Sequence, residues 1–100
     1  MSFTYIMHEL AQKDYEVSLE WYMERSVLAA ENFIKAVNTT LSLICDNPTQ
    51  WRNGYKQCYE LGLKNYPFSI IYTVETDKKL VVVTALYHHK RNPRKKYRRI

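Results

Sequence analysis

Hydrophobic residues near the start of the sequence recur first at every second position and then at every third or fourth. In residues 2–8, Phe3, Tyr5 and Met7 alternate with Ser2, Thr4, Ile6 and His8, which predicts a first β-strand. A helical period follows from Glu9 to about Glu24. The apolar stripe of this helix contains Ala11, Tyr15, Ser18 or Leu19, and Tyr22, whereas Lys13, Glu16 and Glu20 lie off it.

A second amphipathic helix is predicted from its N-cap, Ser26, to about Asp46. Asn47-Pro48 ends this helix, because proline disfavours helical geometry in the residue before it and has no backbone donor. The short connection between the two helices predicts a helical hairpin. The residues expected on the buried face of the second helix are Ala30, Phe33, Val37, Leu41 and Ile44.

After Pro48 the hydrophobic period becomes that of strands. Residues 49–54 are rich in turn-forming types, and strands are predicted over residues 55–61, 68–75 and 80–88, with a polar hairpin connection between the last two. The run LVVVTALY is too apolar for an edge strand with one solvated face, so it is predicted to lie centrally in the sheet. The predicted fold is α+β with the order β-α-α-β-β-β, a helical hairpin packed on a mostly antiparallel sheet.

The length of 100 residues fits a single domain spanning residues 1–100. No apolar run reaches the roughly 18–20 residues of a membrane span, and no secretory signal is recognisable, so a cytoplasmic location is expected. Two cysteines, Cys45 and Cys58, are too few for a disulfide framework and are expected to be reduced. Adjacent histidines, His88 and His89, would point to opposite faces of a strand, so neither a metal nor another cofactor is expected.

The formal net charge of +5 is unevenly distributed along the sequence. Residues 88–100 contain seven basic residues and no acidic ones, and the basic C-terminal segment runs from about residue 90 to residue 100. Residues 1–87 contain eight basic and ten acidic residues, a net charge of −2. The positive charge therefore belongs to one segment, which could contact a nucleic acid or an acidic partner protein.

Several short motifs follow one another along nearly the whole chain. The helices carry Ala11 with Asp14, Trp21-Tyr22, Ala29-Ala30-x-x-Phe33, and Ile44 before Asn47-Pro48. The strand region carries YPFSIIYTV at residues 66–74 and ALYHHKRNP at residues 85–93. Taken together, these motifs resemble the RelE/ParE family of bacterial toxins, and in particular its ParE-like branch, which includes plasmid stabilisation proteins. The resemblance implies the same order of elements as the hydrophobic pattern predicts.

The resemblance also implies a function, a growth-inhibiting toxin of a type II toxin–antitoxin module that a cognate antitoxin neutralises by wrapping its hairpin and sheet. ParE-like members bind a target such as DNA gyrase, whereas RelE-like members are ribosome-dependent mRNA endoribonucleases. A ParE-like, target-binding toxin is our first interpretation, and a RelE-like nuclease is the alternative. A non-toxic, decayed family member is a third interpretation. Both a homodimer and a toxin–antitoxin hetero-oligomer are compatible with the sequence.

The RelE-like alternative would use Lys56, Arg91 and Tyr97 as catalytic residues, because the resemblance aligns them with the lysine, late arginine and C-terminal tyrosine of the nuclease branch. RNA cleavage by a 2′-hydroxyl needs cations for the transition state and a proton donor for the leaving oxygen. The second lysine position of that cluster is Cys58, however, and its third-strand arginine position is Ser69 or a neighbour. Each missing cation removes on the order of 3 kcal/mol of transition-state stabilisation, so target binding without catalysis is favoured.

The remaining candidate residues concern binding and packing. Trp51 is predicted at a partner surface because turns seldom bury a tryptophan for stability alone. Five aromatic residues are predicted to lie in the core: Trp21, Tyr22, Phe33, Phe68 and Tyr72. The residues predicted to contact a target or partner are Trp51, Arg52, His88, His89, Lys90, Arg91 and Arg94.

Overall fold

Two helices cover one face of a five-stranded sheet in the computed structural model, which describes residues 3–54 and 57–90. The sheet order is β1-β5-β4-β3-β2, in which β1 pairs parallel with β5 and the other pairs are antiparallel. This arrangement confirms the predicted α+β fold and the interior position of the last strand. The elements are β1 Thr4–Met7, α1 Glu9–Met23, α2 Val27–Asp46, β2 Arg52–Asn53, β3 Tyr59–Gly62, β4 Phe68–Glu75 and β5 Leu80–His88.

The region between α2 and β4 differs from the sequence prediction. Arg52 and Asn53, predicted to lie in a turn-rich segment, form a two-residue strand that pairs with β3. Two residues are too few to display a period of two, so the hydrophobic pattern contains no signal for β2. The strand predicted over residues 55–61 begins instead at Tyr59, because Gln57 has a φ of 61° that no extended strand accommodates. Residues 55 and 56 of that predicted strand lie outside the described residues.

Both helices begin at side-chain caps. The Ser26 hydroxyl accepts a hydrogen bond from the Ala29 backbone N–H at 2.9 Å, which confirms Ser26 as the N-cap of α2. At the start of α1, His8 Nδ1 accepts from the Leu10 backbone N–H at 3.1 Å. The five residues predicted on the buried face of α2, Ala30, Phe33, Val37, Leu41 and Ile44, are all buried. Among the described residues, no helix is long and apolar enough to cross a membrane.

Aromatic rings join the helices to the sheet. Phe33 of α2 lies at the centre of this group, with its ring centroid 4.7 Å from Tyr22 and 5.5 Å from Phe68. Burial, and then the nearby Tyr66, raise the pKa of the Tyr22 phenol, so its hydroxyl stays neutral well into the alkaline range. These contacts confirm Tyr22, Phe33 and Phe68 as packing residues of the core.

Trp21 is not a core residue, contrary to the prediction, because half of its surface is exposed. It follows the stripe residue Ser18 by three positions, and its ring meets that of Tyr22 in a T-shaped contact with centroids 5.0 Å apart. The Arg25 guanidinium lies 3.3 Å from the centroid of the Trp21 ring and donates a hydrogen bond to the Trp21 carbonyl. A cation stacked on the outer face of the indole replaces the apolar cover that a core position would have.

A β-bulge changes the alternation of side chains along β5. Ile71 pairs with Ala85 and Tyr72 pairs with Val83, so Thr84 is an extra residue between these pairs. The Thr84 hydroxyl donates to the Ile71 carbonyl at 3.2 Å. Because of this insertion, Leu86 faces the helices together with Val83, although the two residues are separated by an odd number of positions. The bulge thereby sets which histidine at the end of β5 faces the helices.

Tyr72 links the sheet to the chain that follows α2. Its side chain is fully buried, and its hydroxyl donates to the Pro48 carbonyl at 2.6 Å.

Replacing Tyr72 with Phe leaves that carbonyl without its donor in a buried setting, which should lower the free energy of unfolding by about 1–3 kcal/mol. Tyr59→Phe, a change in the ring stacked on Tyr72, is the matched control and should cost under about 0.5 kcal/mol. Urea denaturation measures both changes, and equal losses would contradict this role of the hydroxyl.

The burial of Tyr72 also predicts that the free energy of unfolding depends on pH in the alkaline range. Burial, followed by the nearby Tyr59 and Cys45, raises the pKa of Tyr72 far above its ordinary value. At a pH above about 10, the unfolded chain loses this proton while the folded chain retains it, so stability falls as the pH rises. Tyr72→Phe should show a shallower decline than the wild type above about pH 10 in denaturation measured as a function of pH. An unchanged slope would show that Tyr72 is not the group responsible.

Candidate target-binding surface

The predicted binding residues His88, His89 and Lys90 lie at the end of β5 and directly after it. His88 pairs with Phe68 at the start of β4, and the His89 backbone N–H donates to the Pro67 carbonyl at 2.9 Å. The chain therefore continues alongside β4 for one residue beyond the strand. Because His88 and His89 are adjacent in an extended segment, their side chains lie on opposite faces of the sheet.

His88 lies on the helix-covered face and is half-buried. Its ring meets the Phe68 ring edge-on at 4.9 Å, and its Nδ1 accepts from the Lys90 backbone N–H at 3.0 Å. A groove of about 460 Å³ opens here between α1 and the ends of β4 and β5, and we call it the α1–β5 groove. It is lined by Val17, Ser18, Trp21, Tyr22, Pro67, Phe68, Leu86, His88 and Lys90.

A carboxylate on α1 accepts a hydrogen bond from the backbone of β5 beside this groove. Strand β1 ends at Met7, opposite Val83, so it does not reach the last residues of β5. At Leu86, the backbone N–H donates instead to Asp14 Oδ2 at 3.2 Å. In the sequence Asp14 belongs to a short motif with Ala11, and its spacing does not predict a partner 72 residues away. The bond fixes α1 against the part of β5 that leads to the histidines.

His89 lies on the opposite face, where a hydrogen bond of 2.8 Å joins its Nε2 to the Ser69 hydroxyl. Ser69 is only 3% exposed, whereas His89 is exposed. Gly62 is the register partner of Ser69 on the other side, and a Cβ at Gly62 would lie 3.7 Å from the Ser69 hydroxyl. The result is an accessible imidazole hydrogen-bonded from below, positioned to contact a polar group. Sequence analysis did not predict this pair because its members are 20 residues apart.

On the sheet face that carries Ser69, the two positions compared with the nuclease branch hold a thiol and a hydroxyl. Cys58 is fully buried, and it packs in a cluster with Ile71, Ala85 and Tyr87. Neither Cys58 nor Ser69 can supply the positive charge that phosphodiester cleavage by the nuclease arrangement requires. The His89 imidazole is hydrogen-bonded to Ser69 and occupies neither of these two positions.

The other predicted site residues lie elsewhere. Trp51 is half-buried, packs against the core and donates from its indole N–H to the Leu43 carbonyl at 3.4 Å. Arg52 belongs to β2, which β3 and β4 separate from β5, so the structure does not bring it to the histidines. The side chain of Arg52 lies outside the described residues, as do Lys56, Arg91, Arg94 and Tyr97. Within residues 3–54 and 57–90, no three His, Cys, Asp or Glu side chains converge on a possible metal position.

Comparison with known proteins finds one sequence family and several similar folds. The family described as "ParE toxin of type II toxin-antitoxin system, parDE" matches residues 5–93. No curated protein sequence matches the chain. A solved structure of the chromosomal ParDE system from P. aeruginosa is similar, with a TM-score of 0.70 and 15% identity over 88% of this chain and 96% of that one. The intact E. coli RelBE complex gives a TM-score of 0.61 and 17% identity over 90% of this chain and 100% of that one. A mutant of the E. coli RelE toxin in the free state, with two arginines replaced by alanine, gives a TM-score of 0.62 and 17% identity over 90% of this chain and 86% of that one.

The Ser69–His89 hydrogen bond predicts an ordered imidazole. Because a hydroxyl can donate to Nε2 or accept from it, this bond holds the ring in place in either tautomer, so the His89 ring should be more rigid in the wild type than in Ser69→Ala. Order parameters from ¹³C relaxation of the imidazole measure this directly, with His8 as an internal control whose values should not change. Equal His89 order parameters in the two proteins would show that Ser69 does not orient the ring.

Proposed function

The chain belongs to the ParE toxin family of type II toxin–antitoxin systems, and from that membership we propose that it inhibits growth by binding a target, DNA gyrase in the first instance, without cleaving RNA. The residues proposed to contact the target lie at and beyond the end of β5: His88, His89, Lys90, Arg91 and Arg94. Trp51 and Arg52 form a second proposed contact region, at the β2 edge of the sheet, which β3 and β4 separate from β5.

One observation supports binding over catalysis more than any other. By the family resemblance, the nuclease branch carries cations at the position of Cys58 and at that of Ser69 or a neighbour, and the side chains of Cys58 and Ser69 are buried in the sheet. A buried thiol and a buried hydroxyl supply no charge to a phosphorane-like transition state, and each loss is worth on the order of 3 kcal/mol. The RelE-like alternative would depend on Lys56, Arg91 and Tyr97 alone.

The proposed partner is a cognate antitoxin. Two of the similar folds come from toxin–antitoxin systems, ParDE of P. aeruginosa and RelBE of E. coli. Large apolar side chains on the surface of the helical hairpin support such a partner, since Val17, Trp21 and Val27 are each at least half exposed. An antitoxin that covered this surface would hold the toxin inactive in the cytoplasm, the setting proposed for both proteins.

Expression of the chain in a bacterium without its antitoxin tests the proposed mechanism. Binding to gyrase should cause filamentation and a DNA-damage response while transcripts remain intact. Co-expression of a cognate antitoxin should restore growth. Rapid loss of translation accompanied by cut transcripts would contradict target binding and favour the nuclease, and normal growth would favour a decayed member.

Arg91 should matter to toxicity and not to folding. Arg91→Ala removes one cation from the segment proposed to contact the target, so we expect a folded protein with reduced growth inhibition. Lys78→Ala is a matched control, because Lys78 is an exposed cation in the β4–β5 connection that forms an ion pair with Glu75 at 3.5 Å. Circular dichroism checks folding, and growth curves measure toxicity. Full growth arrest by a folded Arg91→Ala protein would remove Arg91 from the site.

A further inference from the structure

The α1–β5 groove has a buried apolar floor and an exposed apolar wall. Phe68 and Leu86, which are both buried, form its floor together with the half-buried Tyr22. Val17 and Trp21 form its wall on α1, and they are 60% and 50% exposed. An apolar group bound in the groove would remove these two side chains from water without any change in the fold, which is energetically favourable.

Contacts within the protein already hold both sides of the groove in place. On the α1 side, the Trp21 ring meets Tyr22 in a T-shaped contact and carries the Arg25 guanidinium 3.3 Å from its centroid. On the β5 side, His88 Nδ1 accepts a hydrogen bond from the Lys90 backbone N–H at 3.0 Å. A partner that binds here therefore loses little free energy in ordering these side chains.

The charges beside the groove are positive. Lys90 is the charged residue among those that line it, and it is exposed. The Arg25 guanidinium lies on the Trp21 ring, and residues 88–100 contain no acidic residue. The carboxylate that joins α1 to β5, that of Asp14, accepts a hydrogen bond from the β5 backbone. This distribution attracts a segment that carries carboxylates and repels a basic one.

The size of the groove limits what can enter it. Its volume of about 460 Å³ is toward the lower end of the roughly 300–1,000 Å³ of sites that enclose a small ligand. Such a volume accommodates about one or two large side chains. The groove therefore fits a protruding apolar residue of a partner, and not a whole helix.

The aromatic contacts favour an apolar side chain over a nucleic acid base. Proteins that bind single-stranded nucleic acids stack the bases on the faces of aromatic rings. In this groove one face of Tyr22 is stacked on Phe33, with ring centroids 4.7 Å apart. One face of Trp21 is covered by Arg25. An apolar side chain needs no flat ring face, so it fits this surface better than a stacked base.

The chain's own C-terminal segment is a poor occupant for an electrostatic reason. Residues 91–100 contain six basic residues and no acidic ones. In the groove, a segment of this charge would meet Lys90 and Arg25, and like charges repel. A separate protein with the opposite charge is the better occupant.

We propose that the α1–β5 groove binds an acidic segment of the target protein, which inserts an apolar side chain between α1 and β5. This inference rests on the target binding proposed above and adds the chemistry of the segment that is recognised. Phe68 and Leu86 receive the apolar side chain, Val17 and Trp21 cover it, and Lys90 pairs with a flanking carboxylate. An antitoxin that covered Val17 and Trp21 would exclude the target from this groove.

Two opposite charges introduced at Val17 test the chemistry of the partner. Val17→Asp and Val17→Lys remove the same apolar side chain, but the first repels an acidic segment and the second attracts it. The concentration that half-inhibits purified gyrase should therefore be about tenfold higher for Val17→Asp than for Val17→Lys. Met23 is the matched control position, because it lies on α1, is 57% exposed and does not line the groove. Met23→Asp and Met23→Lys should differ by less than about twofold, since salt screens exposed charges outside the contact.

The outcomes of this comparison separate the groove from the proposed function. Circular dichroism checks that the variants fold. If the wild type inhibits gyrase, equal inhibition by the two Val17 variants, or weaker inhibition by Val17→Lys, would overturn the inference alone. If the wild type does not inhibit gyrase, the proposed function is wrong and this inference falls with it. If a Val17 variant fails to fold, cross-linking decides.

Photocrosslinking from the same position identifies the occupant. Val17→p-benzoylphenylalanine, irradiated with gyrase and DNA, should cross-link to a gyrase segment in which Asp or Glu flanks an apolar residue, as identified by mass spectrometry. Met23→p-benzoylphenylalanine should not cross-link to that segment. A cross-link from residue 17 to DNA, to residues 91–100 of the chain itself or to a basic gyrase segment would overturn the assignment. So would the absence of a cross-link from a variant that inhibits gyrase.

Discussion

The β-bulge in the β4–β5 pairing is the constraint on which the arrangement of this protein most depends. Without the extra residue Thr84, strict alternation along β5 would turn either Val83 or Leu86 away from the helices. The bulge allows both to face the core, and it also sends His88 to the α1–β5 groove and His89 to Ser69. One inserted residue thus determines both the packing of the central strand and the placement of the candidate binding residues.

Local signals in the sequence were sufficient for the helices and for most strands. Ser26 and Asn47-Pro48 bound α2 because capping and proline chemistry act within a few residues. The bulge at Thr84 and the short strand β2 depend on pairing with distant residues, so no local pattern encodes them. Trp21 was misplaced for a related reason, since a helical period cannot tell whether a residue beside the stripe is covered by a neighbouring element or by a cation such as Arg25.

The candidate site was predictable in position and less so in detail. The basic segment and the motif around His88 and His89 indicate the end of β5, and the structure places both histidines there with their imidazoles on opposite faces of the sheet. The bonds from Ser69 to His89 and from Asp14 to Leu86 could not be predicted, because they join residues 20 and 72 positions apart. These contacts make the surface ordered, and ordered polar groups on a fixed scaffold favour recognition of another macromolecule.

Taken together, the burial of Cys58 and Ser69, the oriented imidazole of His89 and the family membership support a toxin that works by binding. The most direct measurement is the supercoiling activity of purified DNA gyrase with increasing amounts of the chain, alongside a purified translation system containing a defined mRNA. The account predicts that gyrase is inhibited while the mRNA remains intact. Unimpaired gyrase together with mRNA cut on the ribosome would contradict it.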